Sequence, residues 1–140
     1  MKKVIFICKG NIFRSQTAQA FYNQLVQDGS RAESYGTMVE EEGNQDLKIS
    51  LYLGLEVLFN ILRKYNLDIS NEHCKQLKEE YLKDADKIIV MTEREFIPKW
   101  LNKYNYEYWD IENPEAHEVE VISRIVSLLR EKVLKLINIK

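Results

Sequence analysis

Two stretches of the chain are apolar without interruption, Val4-Ile5-Phe6-Ile7 and Ile88-Ile89-Val90-Met91. Runs this short fit strands covered on both faces, the second extending over Lys87–Met91. Elsewhere the pattern takes a helical period. Ala18, Phe21, Tyr22, Leu25 and Val26 recur at that spacing and predict a helix over residues 14–27. Leu55, Leu58, Phe59 and Leu62 form one face of a second helix over 53–65. Ile122, Ile125, Val126, Leu129, Val133 and Ile137 form one face of a long third helix over 119–137. Shorter helical pieces are predicted at 77–82 and 96–102, and shorter strands at 32–35 and 106–109. Strands alternating with helices predict an α/β fold, a parallel sheet with helices on both faces. No repeat or Pro/Gly-rich linker interrupts the pattern, so residues 1–140 read as a single domain.

Composition narrows the class without changing this picture. A hydrophobic share of 45% and a charged share of 30% are those of a water-soluble globular protein. A net charge of −2 gives no electrostatic footprint for nucleic acid. The apolar runs are too short for a membrane span or a signal peptide, so no membrane partner is expected. Two cysteines, Cys8 and Cys74, suit a reducing cytoplasm better than a disulfide framework.

The candidate chemistry lies where the first strand ends. Cys8 closes the apolar run, Gly10 and Asn11 supply turn residues that tolerate positive φ, and the helical pattern opens near Arg14. A loop wrapped between strand and helix points its backbone N–H groups into one concavity suited to an oxyanion, and the helix N-terminus adds partial positive charge. Arg14 can clamp a tetrahedral oxyanion through two parallel N–H groups. A thiol at such a site favours its thiolate, the form that attacks phosphorus. Ser15 can donate a hydrogen bond to that sulfur. A bare Cys-x5-Arg spacing arises by chance, and a strand-end cysteine is often merely buried. The strand before, the Gly-Asn within and the Ser-led helix after favour a catalytic loop.

Four segments match one family in order: Cys8-Lys9-Gly10-Asn11-Ile12-Phe13-Arg14-Ser15, Ser34-Tyr35-Gly36-Thr37, Asp84 to Met91, and Ile111-Glu112-Asn113-Pro114. In these the chain resembles the low-molecular-weight protein tyrosine phosphatases, whose arsenate reductase relatives share the fold. The resemblance implies a four-stranded parallel sheet and a cytoplasmic phosphomonoesterase working through a cysteinyl-phosphate. It implies a nucleophile at Cys8, a clamp at Arg14, a supporting hydroxyl at Ser15 and a phosphate cradle formed by Lys9, Gly10, Asn11, Ile12, Phe13 and Arg14. Phosphorylated protein, a small phosphomonoester and inorganic phosphate are the implied ligands, with neither metal nor cofactor.

The departures from the family pattern bear on mechanism. The family's general acid is the Asp of an Asp-Pro pair, and Asn113 stands there; an amide cannot donate a proton as a carboxylic acid does. Glu112 and Asp110 are the replacement acids that lie nearby, and Glu115 follows the proline. Glu115 and Ala116 stand where aromatic residues usually flank the substrate. Glu40-Glu41-Glu42 occupies the place of a substrate-packing Trp, either as a solvated turn or as a rim that disfavours acidic substrates. Ile12 leans toward the phosphotyrosine type, since phosphoarginine-directed members tend to have Thr there. Phe13 replaces a second loop cysteine, Gln16 a proline, and Glu72 a histidine that supports the loop asparagine. His73 reads as a surface residue and Cys74 as a packing residue. The chain between Gly43 and Asp68 is several residues longer than is usual for the family. Three readings stay open: a phosphatase slowed by Asn113, a phosphate- or phosphoprotein-binding pseudo-phosphatase, and an arsenate reductase, which usually needs two further thiols.

Overall fold

A computed structural model describes residues 2–114 and 118–138, and the positions of Glu115 and Ala116 fall outside the described residues. Four parallel strands form one sheet in the order β2-β1-β3-β4, with β1 Lys3–Cys8, β2 Arg31–Gly36, β3 Lys87–Val90 and β4 Glu107–Tyr108. The register sets Cys8 beside Gly36 and Ile7 beside Val90.

Alternation along β1 divides the core in two. Val4, Phe6 and Cys8 face one side with Ile89 and Met91, and join the cluster formed by helices α1 (Arg14–Leu25), α2 (Glu56–Arg63) and α3 (Val119–Asn138). Ile5 and Ile7 face the other side with Ile88 and Val90, where short 3₁₀ helices at Glu79–Leu82 and Lys99–Lys103 bring Leu82 and Leu101. Both faces of the sheet are thus covered, and uninterrupted apolar strands are what such burial demands. The inward row of α3 is the predicted one, with Ile122, Ile125, Val126, Leu129 and Val133 buried.

Element ends differ from the expected ones for local reasons. The second helix starts at Glu56 instead of residue 53, because Gly54 takes a φ of 89° that no right-handed helix admits and Leu53 points into solvent. The pieces expected at 77–82 and 96–102 are too short to gain from α-helical bonding and close as 3₁₀ turns. β4 keeps only two residues.

In this order β1 connects onward to one neighbour while β3 lies on its other side, so the carboxyl end of β1 opens a crevice. Cys8 sits there. Gly36 ends β2 against the same loop: a Cβ at this position would lie 2.7 Å from the Lys9 carbonyl oxygen and 2.9 Å from the Asn11 nitrogen. No larger residue fits without displacing the loop.

Candidate active site

The turn after Cys8 is made at Asn11, whose φ of 55° is left-handed. That conformation aims the Asn11 backbone N–H at the Cys8 sulfur, 3.3 Å away. The Ser15 hydroxyl is 3.0 Å from the same sulfur. Its oxygen already accepts a bond from Asn11 Nδ2 at 2.8 Å, which leaves the hydroxyl proton free to point at Cys8. Both neighbours are therefore donors, the arrangement a thiolate needs. The start of α1 has no side-chain cap and no acidic residue in its first turn, so its backbone N–H groups remain available to an anion.

The Asn11 side chain is wholly buried and works as a strut. Its Nδ2 also donates to Ser34 Oγ at 3.0 Å, and its Oδ1 accepts from the Lys75 backbone N–H at 2.9 Å and Gln16 Nε2 at 3.1 Å. Ser34 is braced in turn by Gln19 at 2.6 Å. Gln16, where the family often has proline, thus takes part in fixing the loop, and it further ties it to the His73 carbonyl at 3.1 Å. The His73 side chain is exposed, as expected, and Glu72 makes no side-chain bond to Asn11. Nothing in the spacing of Gln16, Ser34 and Lys75 marks them as loop supports.

Arg14 is 3% exposed. Nη1 donates to the Met91 carbonyl at 2.8 Å and the Ile111 carbonyl at 3.1 Å, and Nη2 lies 3.1 Å from Glu93 Oε1. Among the described residues Nε–H and one Nη2–H have no protein acceptor, which leaves donors for a ligand. Burial works to raise the Glu93 carboxyl, but its own backbone N–H together with Arg14 and Lys9 outweigh that and hold it below its ordinary value. Glu93 was not visible as a site residue in the sequence.

Cys8, Lys9, Gly10, Ile12, Phe13 and Arg14 floor a cavity of about 390 Å³. Its walls are Glu42 on one side, Tyr52 to Leu55 with Leu58 on another, and Asn113, Pro114 and Ile122. Residues 3–139 of the chain match the family described as low molecular weight phosphotyrosine protein phosphatase. The chain belongs to that family. The glutaredoxin arsenate reductase of Synechocystis sp. is 26% identical over 98% of this chain and 97% of its own. A low molecular weight protein tyrosine phosphatase from T. tengcongensis is 25% identical with a TM-score of 0.74, over 98% of both chains. Vibrio vulnificus Wzb in complex with benzylphosphonate has a TM-score of 0.79 at 19% identity, over 97% of each chain, a likeness of fold.

Against this phosphatase-family frame the cavity departs in two ways. Asn113 lines it, in the place of the expected acid, while Glu112 and Asp110 do not. Both line a separate cleft with Arg124, and Glu112 is drawn to Arg124 at 2.6 Å. The structure therefore does not bring either replacement acid to Cys8. Conversely, an aromatic residue lines the cavity that the sequence did not announce: Tyr52, from the lengthened segment before α2. Cys74 is fully buried, and burial, with the Cys8 charge adding to it, pushes its thiol up to about 11. It fills the core, as the packing reading expects.

Proposed function

We propose that this chain is a cysteine-dependent phosphomonoesterase acting on aryl phosphates, phosphotyrosine foremost. The observation that carries the reading is the Cys8 sulfur held between two donors, the Asn11 N–H and the Ser15 hydroxyl, on the floor of a cavity that Arg14 also lines. The thiolate attacks phosphorus in line, an S–P bond forms and the ester P–O bond breaks, with the leaving oxygen taking up a proton. Loop N–H groups and the free donors of Arg14 hold the phosphoryl oxygens as charge builds on them. Water then attacks the cysteinyl-phosphate, the S–P bond breaks, and phosphate leaves with the Cys8 thiolate restored. Tyr52, Leu55, Leu58 and Ile12 give the cavity an apolar lining that suits an aromatic ring.

The test is hydrolysis of a small aryl phosphate beside an alkyl phosphate, with Cys8→Ser as control and mass-spectrometric trapping of the phosphorylated enzyme. Release of phosphate that depends on Cys8 supports the reading. Phosphate binding without turnover by the native chain would instead favour a pseudo-phosphatase.

Arsenate reduction is the second reading, and the names of the curated relatives favour it. Attack of Cys8 on arsenate must be followed by a second thiol that forms a disulfide with Cys8 as arsenic(V) becomes arsenic(III). Cys74 is the only other thiol in the chain, and a buried thiol pushed up to about 11 is a poor attacking group. This reading therefore requires an external thiol. Arsenite formation from arsenate with reduced glutathione, absent in Cys8→Ser, would support it.

A further inference from the structure

We infer that Glu42 is the proton donor and acceptor of this active site, in the place left by Asn113. The inference rests on the phosphomonoesterase reading. It begins from the cavity: among the described residues Glu42 is the one carboxylate lining the pocket that contains Cys8 and Arg14. The other described acids near the site are otherwise engaged. Glu112 and Asp110 line a different cleft, and Glu93 is bound to Arg14 and held ionised.

Glu42 is also directed toward the cradle. Its Oε1 lies 3.3 Å from where a Gly10 Cβ would stand, so the carboxylate rests on the loop at its glycine. Met38, whose own N–H bonds the Lys9 carbonyl at 2.9 Å, anchors the Glu42 backbone by accepting its N–H at 3.0 Å. The segment that carries Glu42 is thereby tied to the loop. Glu40 and Glu41 are exposed and do not line the cavity. Glu42 shares that exposure but, unlike them, lines the cavity.

The charged and titratable groups around Glu42 are Lys9 at 3.6 Å, Cys8, Arg14 and Tyr52 in the cavity, and Cys74, whose thiol feels its charge. Lys9 also stacks its ammonium 4.3 Å from the centre of the Phe96 ring. The Lys9 ammonium thus lies between Glu42 and the Phe96 ring. In the first step the Glu42 carboxyl proton passes to the leaving oxygen as the P–O bond breaks. In the second, the Glu42 carboxylate accepts a proton from water as the new P–O bond forms and the S–P bond breaks, which restores the carboxyl.

The experiment measures kcat for phenyl phosphates of graded leaving-group basicity and for an alkyl phosphate, in the native chain, Glu42→Gln and Glu42→Gln with Asn113→Asp. Glu42→Gln should slow alkyl phosphate hydrolysis by about 10²–10⁴ and p-nitrophenyl phosphate far less, so the rate falls more steeply with leaving-group pKa. Restoring Asp at 113 should return most of the loss. A merely structural role would slow all esters alike and would not respond to Asn113→Asp. An unchanged leaving-group dependence in Glu42→Gln, with phosphate still trapped on Cys8, would overturn the role of Glu42 and leave the phosphatase reading standing. Loss of alkyl turnover on Glu115→Gln and not on Glu42→Gln would do the same. Absence of any Cys8 adduct in the native chain would overturn both.

Discussion

Replacing Asn11 by alanine removes a strut and not a ligand contact, and its cost can be worked out bond by bond. Two buried donors lose their acceptor, the Lys75 backbone N–H and one Gln16 Nε2–H. Each orphaned donor costs about 1–3 kcal/mol, and the half-buried Lys75 amide belongs at the low end. Ser15 and Ser34 also lose a donor, but a hydroxyl can rotate to another partner. The φ of 55° at residue 11 adds about 1 kcal/mol, since alanine resists the left-handed region. The sum is about 3–5 kcal/mol, a large share of the roughly 5–15 kcal/mol that holds a domain folded. In urea, at a slope of about 1–3 kcal/mol per molar, the midpoint should fall by about 1–5 M. Circular dichroism measures it directly. Asn11→Gly loses the same hydrogen bonds but removes the backbone strain, so it should recover about 1 kcal/mol relative to Asn11→Ala. A loss below about 1 kcal/mol in Asn11→Ala, or a glycine variant no better than the alanine one, would refute the strut.

Four further outcomes are expected. Iodoacetate should label Cys8 well before Cys74, and phosphate should protect Cys8, because Cys8 lines the cavity between two donors while Cys74 lies in the core with its thiol pushed up to about 11; equal labelling insensitive to phosphate counts against the anion loop. Arg14→Lys should lower kcat/KM by about 10²–10³ although the charge is kept, since the three donors of an ammonium cannot replace a planar fork that holds Met91, Ile111 and Glu93 and still has donors for a ligand; a loss of only a few-fold would exclude a clamp. Tyr52→Ala should raise KM for aryl phosphates about 2- to 10-fold and leave alkyl phosphates nearly unchanged, from the roughly 0.5–1.5 kcal/mol of ring packing; equal effects on both classes would deny the wall its selectivity. Burial, helped by Glu33, raises the Tyr35 hydroxyl above its ordinary value, so its contribution to stability is full below the unfolded pKa of about 10 and is lost as pH rises beyond it; Tyr35→Phe should flatten the alkaline limb of a urea-midpoint profile, and an unaltered limb contradicts the linkage.

The parts of the fold written in continuous or periodic hydrophobicity were legible from the chain, as β1, β3 and the buried row of α3 attest. Those governed by a single backbone angle or by length were not: Gly54 moved the start of α2, and two expected helices closed as 3₁₀ turns. The same division runs through the site. Cys8, Asn11, Arg14 and Ser15 lie within eight residues and are read from spacing alone. Their partners Ser34, Lys75, Glu93, Met91 and Ile111 are joined to them only by the sheet order, which no local pattern encodes. Asp110 and Glu112 lie outside the Cys8 cavity for the converse reason. Nearness to residue 113 in the chain did not turn them to the same side of the loop, and Arg124 on α3 drew Glu112 away.

The anchoring of Arg14 has a consequence for how the molecule comes into being. The motif leaves the ribosome well before its partners: the carbonyls that hold the guanidinium lie 77 and 97 residues further on, and the Asn11 acceptor receives its backbone donor from 64 residues away. Contacts so distant in sequence form late, after long loops have closed. A nascent chain that stops short of Ile111 carries the whole motif and still cannot seat Arg14. Oxyanion capture should therefore arise abruptly, with the closing of the far edge of the sheet, and phosphate added during refolding should report completion of the whole domain.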